Sequence, residues 1–390
     1  MGQPSSFQIF LTFLRLGLTA FGGPVAHIGY FHRRFVIEQC WLGESQFSYM
    51  LGLCQLLPGP ASSQLGLLIG WHLAGWRGAL GAFLGFTLPS ACLMLAFAGG
   101  FNWFEQQGLM SWLHGLKLLA FVIVLDAVLG MAQRLCHDGF TRLIGCMALI
   151  MVLLIPSFWG QGLVIILAGW LGLRFTPSGM PVAMLSPSES PRALMAAPGL
   201  RLFVVLLILA LLPLVSGTLS VFADFYRSGA LVFGGGHVVL PLLEQVSQSH
   251  QLMTPSQFMA GYGVAQLLPG PLFSFAAYVG SFSGGTSPSI GLGLLCMLAL
   301  FLPGFLLVLS VWPWWKALSA NASLKQGINA MNAAVVGILA AALYSPLWQT
   351  TIFSLSDVLI VTLGLVLYRY CHWSMGRLAL VCLVLGRLFG

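Results

Sequence analysis

The sequence predicts an all-α polytopic membrane protein with two inverted-topology repeats. Three observations lead to this prediction: the composition, two broken-helix motifs that each occur twice, and an odd number of membrane spans between the copies. Of the 390 residues, 58% are hydrophobic and 6% are charged, whereas a soluble domain carries about 25% charged residues. Apolar stretches of membrane length run from end to end, which excludes a soluble domain of useful size.

The repeat is marked by the hexapeptide QLLPGP, which occupies residues 55–60 and returns at 266–271 with an offset of 211. Three further pairs keep nearly this offset and the same order: Phe21 with Phe233, Pro89 with Pro303, and Gly115 with Gly327. Ordered matches at one offset indicate a tandem duplication. We therefore expect a first repeat at 1–175, a polar loop and linker transmembrane helix at 176–217, and a second repeat at 218–390.

Each repeat ends in about four continuous membrane helices, and the linker adds one. The predicted spans lie at about 78–100, 111–132, 140–157, 160–175, 201–216, 288–311, 325–345, 352–370 and 375–389. Four spans and one linker span place an odd number of crossings between equivalent points. The second repeat should therefore lie upside down relative to the first, an arrangement typical of transporters.

The beginning of each repeat predicts two re-entrant helical hairpins. In the first repeat, arms 7–21 and 26–38 flank FGGP, and arms 46–57 and 61–75 flank PGP. Each arm is about 20 Å long as a helix, which is shorter than the roughly 30 Å of bilayer hydrocarbon.

If both hairpins return to the side from which they start, most of the basic residues face one side of the membrane. These residues are Arg33, Arg34, Arg77, Arg134, Arg142, Arg174, Arg192, Arg201, Lys316, Lys325, Arg369 and Arg377. The positive-inside rule makes this side the cytoplasm and places the N-terminus there. We expect a multi-pass protein of the cell inner (plasma) membrane, in contact with lipid.

The helix breaks predict a binding site for an oxyanion. A half-helix that begins after a break directs free N–H groups and a positive dipole end toward a ligand, and glycine lets that ligand approach the backbone. Packing kinks are the alternative, but the recurrence of two different motifs favours a site. The candidate substrate-binding residues are Gly22, Gly23, Pro24, Gln55, Pro58, Gly59, Pro60, Ser62 and Ser63 in the first repeat, and Gly234, Gly235, Gly236, Gln266, Pro269, Gly270, Pro271 and Ser274 in the second.

Two arginines predict that the ligand is a dianion. Arg15 and Arg227 each stand six residues before the FGG motif of their repeat. An arginine in an apolar arm costs about 3 kcal/mol, so it should face a partner or a cavity. We interpret the two as one fixed cation from each repeat, because a guanidinium matches oxyanion geometry; snorkelling to the interface is the alternative.

Other polar residues in the apolar segments are candidates for gating or proton coupling. They are His27, His237 and Asp126, with local hydrogen bonding as the alternative for the histidines. For Asp126 the alternatives are pairing with nearby Lys117 or capping of backbone groups. Glu38 and Glu244, which close the arms after the first breaks, are interpreted as interfacial.

Several classes of function are disfavoured. The eight cysteines are scattered without a CxxC pair, so they suggest neither a metal site nor a disulfide framework. The net charge of +7 comes from dispersed residues, which argues against nucleic-acid binding. There is no Walker A pattern, no HExxH and no GxSxG, so we expect neither an ATPase nor an enzyme, and no cofactor. The oligomeric state is open, with a homodimer as one alternative.

Taken together, the motifs resemble the chromate ion transporter family in its long-chain, two-domain form. The segments FGGPVAHIGYF, CQLLPGPASSQLG and GFTLPSA resemble its first domain, and VFGGGHVVLPLLE and AQLLPGP resemble its second. The resemblance implies secondary active export of chromate and chromate resistance, with sulfate as the related physiological oxyanion. A sulfate or other oxyanion transporter or exchanger, an anion channel and an intramembrane enzyme are the alternatives.

Overall fold

The computed structural model describes residues 4–106, 110–155, 157–175, 198–211, 217–233, 236–285, 287–315, 318 and 322–389. The regular elements in these ranges are helical, as predicted. The α-helices are α1 (Ser6–Thr19), α2 (Gly23–His32), α3 (Glu44–Leu56), α4 (Ala61–Gln106), α5 (Met110–Leu135), α6 (Gly139–Leu154), α7 (Phe158–Arg174), α8 (Pro198–Leu211), α9 (Thr218–Leu231), α10 (Val239–Ser249), α11 (Pro255–Leu267), α12 (Phe275–Ser281), α13 (Ile290–Val311), α14 (Ala322–Ala342), α15 (Leu355–Arg369) and α16 (Met375–Phe389).

Short turns of other helical types extend these elements. A π-helical turn continues α2 through Arg33–Glu38, and another continues α14 through Leu343–Trp348. 3₁₀ turns at Gly236–Val238 and Leu272–Ser274 precede α10 and α12. Both 3₁₀ turns follow a predicted break, where the chain re-enters helical conformation within one tight turn.

Side-chain caps mark several helix starts. Ser5, Thr254 and Ser354 each accept a hydrogen bond from the backbone N–H three residues on, and the side chain at that third position bonds back. This capping box satisfies two N–H groups that a helix start otherwise leaves unpaired. The helices therefore begin where local sequence dictates, before any tertiary contact is considered.

Four helical segments are long and apolar enough to cross a membrane: Ala61–Phe101, His114–Leu135, Ile290–Trp314 and Ser323–Thr351. Shorter apolar helices lie at Ser6–Thr19, Gly139–Leu154 and Pro198–Leu211. These segments, with α7, α15 and α16, coincide with the predicted arms and spans. The chain is thus a multi-pass helical membrane protein.

The chain reverses direction at both breaks of the first repeat. The ring of Phe13 on α1 lies 4.9 Å from that of Phe35, although 22 residues in one straight helix would span about 33 Å. At the second break, Nε2 of Gln46 and Nε2 of His72 are 2.7 Å apart. Each pair joins the two arms that flank a break, so each break forms a hairpin.

The second repeat forms the same two hairpins. Nε2 of His250, just after α10, lies 2.6 Å from Oδ2 of Asp224 on α9. The rings of Phe258 on α11 and Phe275 on α12 are 5.1 Å apart. All four predicted breaks therefore reverse the chain, and the arms are paired side by side.

A sharp bend divides α4 into an arm at 61–73 and a longer helix at 76–106. Ala74 and Gly75 leave helical conformation, and Gly75 has φ +59°. A Cβ on Gly70 would overlap the carbonyl of Gly78, although these residues would be about 12 Å apart in a straight helix. The bend therefore turns the hairpin arm back toward the following helix, so the long segment comprises the predicted arm and the predicted span.

The two repeats interlock because one helix of each packs against the last two helices of the other. The first repeat's α5 packs against α15 and α16, and the second repeat's α14 packs against α6 and α7. Small residues let these helices approach closely: a Cβ on Gly115 of α5 would lie 2.5 Å from the carbonyl oxygen of Cys382, and one on Gly172 of α7 would lie 2.6 Å from that of Gln326. Reciprocal contacts of this kind are those of two repeats related by an approximate twofold axis.

Candidate functional site

The PGP turns of the two repeats are held by reciprocal backbone hydrogen bonds. The N–H of Gly59 donates to the carbonyl of Val232 at 2.7 Å, and the N–H of Gly270 donates to the carbonyl of Ala20 at 3.0 Å. Ala20 and Val232 each stand just before an FGG motif. Each PGP turn therefore contacts the FGG break of the other repeat, and all four breaks belong to one region.

Glycine is required at the centre of each PGP turn. Gly59 has φ +122° and Gly270 has φ +96°, a region that other residues rarely adopt. A Cβ on Gly59 would lie 3.0 Å from Cα of Gly304, and one on Gly270 would lie 3.0 Å from Oγ of Ser90. Gly304 and Ser90 directly follow Pro303 and Pro89, the prolines that match between the repeats. The matched prolines therefore mark the helix surface against which each PGP turn packs.

The FGG breaks also approach each other. A Cβ on Gly236 would lie 3.1 Å from Cγ of Pro24. Gly22 and Gly23 have φ +99° and +74°, and Pro24 stands in the first turn of α2, where its missing N–H costs nothing. The other two predicted glycines, Gly234 and Gly235, lie outside the described residues.

Buried polar side chains surround the PGP turns. Nε2 of Gln64 donates to the carbonyls of Pro58 and Gly304 at 2.8 and 3.0 Å, and Oγ of Ser274 donates to the carbonyl of Pro271 at 2.8 Å. These bonds satisfy carbonyls that the breaks release. Gln64 therefore stabilises one turn against the other repeat.

Three of the side chains here present a donor without a partner among the described residues. They are Ser63 through Oγ, Thr87 through Oγ1 and Gln266 through Nε2, and all three atoms are buried. A buried polar group left unpaired costs about 1–3 kcal/mol, which is the cost that a bound acceptor would remove. The sequence motifs predict Ser63 and Gln266 but not Thr87, although Thr87 stands two residues before the matched Pro89 in FTLPS.

The candidate gating histidines have different partners. His27 is buried, with Nε2 3.2 Å from the carbonyl oxygen of Ala20 and Nδ1 3.4 Å from Oγ of Ser62. Because that carbonyl also accepts from Gly270, His27 is part of the contact between the repeats. His237 instead lies 3.1 Å, through Nδ1, from the hydroxyl of Tyr262.

The two arginines that precede the FGG motifs lie in unlike surroundings. The guanidinium of Arg227 pairs with Asp224 one turn away and lies over the ring of Trp159, 5.6 Å from its centroid. Arg15 is exposed and lines a cavity of about 390 Å³ together with Arg34. A dianion clamp made of Arg15 and Arg227 stays a prediction.

The cavity beside Arg15 has a mixed polar lining. It is bounded by Pro4, Gln8, Leu11, Thr12, Arg15, Arg34, Gln39 and Trp41. Arg34 is not free, because its Nη1 donates to Oε2 of Glu38 at 2.8 Å. Hydrogen bonds from Arg34 and from Arg33 hold the pKa of the Glu38 carboxyl below its usual range, so this acid, interpreted as interfacial, is a charged partner at neutral pH.

The remaining predicted residues lie apart or in other environments. Asp126 pairs with Arg369 of α15 at 2.7 Å, so the alternative that it pairs with Lys117 is wrong. Glu244 is only 5% exposed, and its interpretation as interfacial stays a prediction. Gln55 is exposed, whereas its counterpart Gln266 is buried; Pro58, Pro60, Pro269 and Pro271 are buried within their turns.

The profile of the chromate transporter family matches this chain twice, at residues 7–173 and 219–389. A chromate transport protein of Pseudomonas aeruginosa is 29% identical over 346 residues, which cover 87% of this chain and 80% of that protein. An uncharacterized transporter of Methanocaldococcus jannaschii is 29% identical over 396 residues, or 99% of this chain and 95% of that protein.

A further relative is a chromate transport protein of Cupriavidus metallidurans, 26% identical over 347 residues that cover 86% of this chain and 81% of that protein. No solved structure matches the chain significantly. Because the family profile spans most of the chain, the protein belongs to the chromate transporter family. It is therefore a membrane transporter and not an enzyme.

Proposed function

We propose that this protein is a secondary active transporter that exports chromate, an oxyanion dianion, from the cytoplasm and so confers chromate resistance. The observation that supports this most is the reciprocal pair of hydrogen bonds from Gly59 to Val232 and from Gly270 to Ala20. They bring the broken helices of both repeats together at one place. In transporters with inverted repeats, the substrate site lies at such a repeat interface, and motion of one repeat against the other alternates its access.

The chemistry around the turns suits an oxyanion. The buried donors of Ser63, Thr87 and Gln266 need acceptors, and tetrahedral oxyanions offer several. Backbone N–H groups at the start of α2 and of the arm at 61–73 add a positive dipole end. The predicted residues of the four breaks would bind the anion, with Arg15 from the first repeat and Arg227 from the second as the cations.

The cavity beside Arg15 supports an entry route for the anion. Its volume of about 390 Å³ exceeds that of a small tetrahedral anion, and Arg15 and Arg34 both line it. The positive charge of Arg15 attracts an anion to this cavity, whereas Arg34 is already paired with Glu38. We propose that chromate passes this cavity before it reaches the turns, with His27, His237 and Asp126 as candidates for gating or proton coupling.

The membrane potential favours export of an anion. The interior-negative potential of a cytoplasmic membrane expels an anion with about 2.3 kcal/mol per charge per 100 mV.

We propose that the protein lies in the inner membrane with a cytoplasmic N-terminus. Cysteine labelling tests this orientation: a cysteine in place of Arg34 should react only from the cytoplasmic side.

Sulfate transport or exchange is the second candidate, because sulfate shares the charge and tetrahedral shape of chromate. An anion channel would use the same site but would not accumulate its substrate. The names of the Pseudomonas aeruginosa and Cupriavidus metallidurans relatives favour chromate.

A homodimer in lipid stays an open alternative. Measuring the mass of the purified protein by size-exclusion chromatography tests it.

The deciding experiment is flux of radiolabelled chromate in proteoliposomes, with the pH gradient and sulfate as variables. We expect chromate to accumulate against its gradient when a pH gradient is imposed, and excess sulfate to compete weakly. Stronger transport of sulfate than of chromate would establish the second candidate. Downhill flux that no gradient can reverse would establish a channel.

A further inference from the structure

A second cavity, of about 160 Å³, lies between α6, α7, α10 and α14 and contains a buried acid. Glu244 of α10 lines it with 5% of its surface exposed. Its Oε1 accepts a hydrogen bond from Nε2 of Gln248 at 3.2 Å. A carboxylate in such a place needs a counterion or a proton, because burial of an unpaired charge is very costly.

The lining offers no counterion. Apart from Glu244, the cavity is bounded by Val152, Leu153, Gln161, Pro241, Gln245, Gln248, Ile338, Ala341, Ala342 and Ser345. These side chains are apolar or neutral. Glu244 is thus the single titratable group on the cavity wall as described, and neutralisation must come from a cation that enters it.

Two amide oxygens indicate which cation fits. Oε1 of Gln161 and Oε1 of Gln245 are buried and accept no hydrogen bond from any described residue, and Gln161 is only 3% exposed. Both side chains line the cavity. A protonated carboxylic acid carries one O–H donor, which an amide oxygen could accept. A proton needs only one such acceptor, whereas a metal cation needs a shell of several oxygen ligands.

Charged and titratable groups on the elements packed against α10 are engaged elsewhere. On α9, Asp224 pairs with Arg227 and with His250. His237, in the 3₁₀ turn before α10, bonds to Tyr262 of α11. None of these five lines the cavity.

The same holds for the other groups on elements packed against α10 and for the elements that form the other cavity walls. On α12, the hydroxyl of Tyr278 donates to the carbonyl of Gln257, and α9 also carries Tyr226, whose hydroxyl donates to the carbonyl of Phe203. Arg142 of α6 donates to the carbonyls of Cys136 and His137. The remaining titratable groups on α6, α7, α14 and its π turn are exposed: Cys146, Arg174, Lys325 and Tyr344.

The position of Glu244 links the cavity to the helix breaks. Glu244 lies eight residues beyond Gly236, whose Cα faces Pro24 of the first repeat. The 3₁₀ turn and the first part of α10, residues 236–244, form one rod of about 12 Å. Movement of this rod on binding a cation at Glu244 would act directly on the contact between the two FGG breaks.

We propose that Glu244 binds the proton whose movement is coupled to oxyanion transport, and that the one O–H of its carboxylic acid donates to an amide oxygen of the cavity wall, from Gln161 or Gln245. This inference rests on the proposed function. Proton binding would neutralise the cavity and fix α10, and release of the proton would leave a charge that only a rearranged cavity can solvate. The position of α10 would thereby change with the protonation of Glu244.

The test compares wild-type protein, Glu244→Gln and the exposed-acid control Glu44→Gln in proteoliposomes. A one-unit pH gradient can drive about tenfold accumulation per coupled proton. We expect chromate accumulation by wild type and control, and a ratio of about one for Glu244→Gln. Chromate exchange without a gradient should persist in Glu244→Gln, which shows that the variant is folded and still carries the anion.

A second variant tests the hydrogen bond to the acid. Gln161→Leu removes an acceptor of the protonated form, so proton binding should weaken, and the pH of half-maximal accumulation should fall by about one unit. The C=O infrared band of a protonated carboxylic acid should titrate in wild type and be missing in Glu244→Gln. This band is measured without any transport.

The outcomes separate the two proposals. If Glu244→Gln accumulates chromate like wild type, or if a Na⁺ gradient replaces the pH gradient as the driving force, the assignment of the proton to Glu244 is wrong. If wild type exchanges neither chromate nor sulfate, the proposed function fails, and the infrared band alone then decides whether Glu244 holds a proton. A band unchanged in Glu244→Gln overturns the inference in either case.

Discussion

The hairpins of the two repeats carry the same motifs in different surroundings. In the first repeat, Gln55 and Arg15 are exposed, and Arg15 borders an open cavity. In the second repeat, the equivalent Gln266 is buried, and Arg227 is paired with Asp224. The repeats are thus alike in chain path but unlike in accessibility. The alternating access that we propose would require such a difference, since one side of a transporter is open while the other is closed.

Substitution of the turn glycines should give the largest loss of stability, because Gly59 and Gly270 occupy the same kind of contact in both repeats. We expect Gly59→Ala to lower the apparent melting temperature of the detergent-purified protein well below that of Gly23→Ala. Both positions have positive φ, which costs about 1–2 kcal/mol for alanine. Only Gly59 lies against backbone, so Gly59→Ala should lose about 1–3 kcal/mol more through overpacking.

Gly23 is the matched control because a Cβ there would meet no atom within 4 Å. Chromate flux should be lost in Gly59→Ala. Equal melting temperatures for the two variants would mean that the PGP turn is not held as tightly as its contacts with Gly304 and Val232 require.

The arginines test whether the difference between repeats is functional. Arg227→Gln removes the guanidinium partner of Asp224, which keeps only His250, and should cost up to about 3 kcal/mol of stability; the pair Asp224→Asn with Arg227→Gln should recover most of it. Arg15→Gln should change stability by less than about 0.5 kcal/mol yet abolish chromate transport. Melting temperature and chromate flux are measured together for each protein.

This comparison can fail in two informative ways. Normal chromate flux with Arg15→Gln would remove this residue from the mechanism. Restored transport in the doubly substituted protein would make Arg227 a structural partner of Asp224, and the prediction of one substrate cation from each repeat would be wrong.

Labelling of introduced cysteines should show the smallest change, but it tests the difference in accessibility between the repeats directly. In a protein whose native cysteines are replaced by alanine, Gln55→Cys should react with a membrane-impermeant reagent, and Gln266→Cys should not, because Gln266 is only 9% exposed. If the repeats exchange roles during transport, imposing a chromate gradient should raise the labelling of Gln266→Cys and lower that of Gln55→Cys. Labelling of both cysteines that no gradient changes would argue for a static difference between the repeats.

The hairpins could be predicted from the sequence because their causes are local. Glycine at positive φ and proline in a first helical turn fix the backbone at Gly22, Pro24, Gly59 and Gly270. The repeat offset then gave the order of the elements. The burial of Glu244 and the pairing of Asp126 with Arg369 could not be predicted, because burial and pairing depend on helices far away in sequence.

The sequence by itself determined that this chain breaks its helices four times, in two matched pairs, and that it belongs with membrane transporters. Backbone torsions and hydrophobicity are properties of short segments, so a repeated hexapeptide is enough to reveal them. Only the tertiary structure decided that each PGP turn binds the opposite repeat, that Asp126 meets Arg369, and that Glu244 is enclosed with Gln161. Identical motifs obtain different surroundings because each is packed by different residues of the rest of the chain.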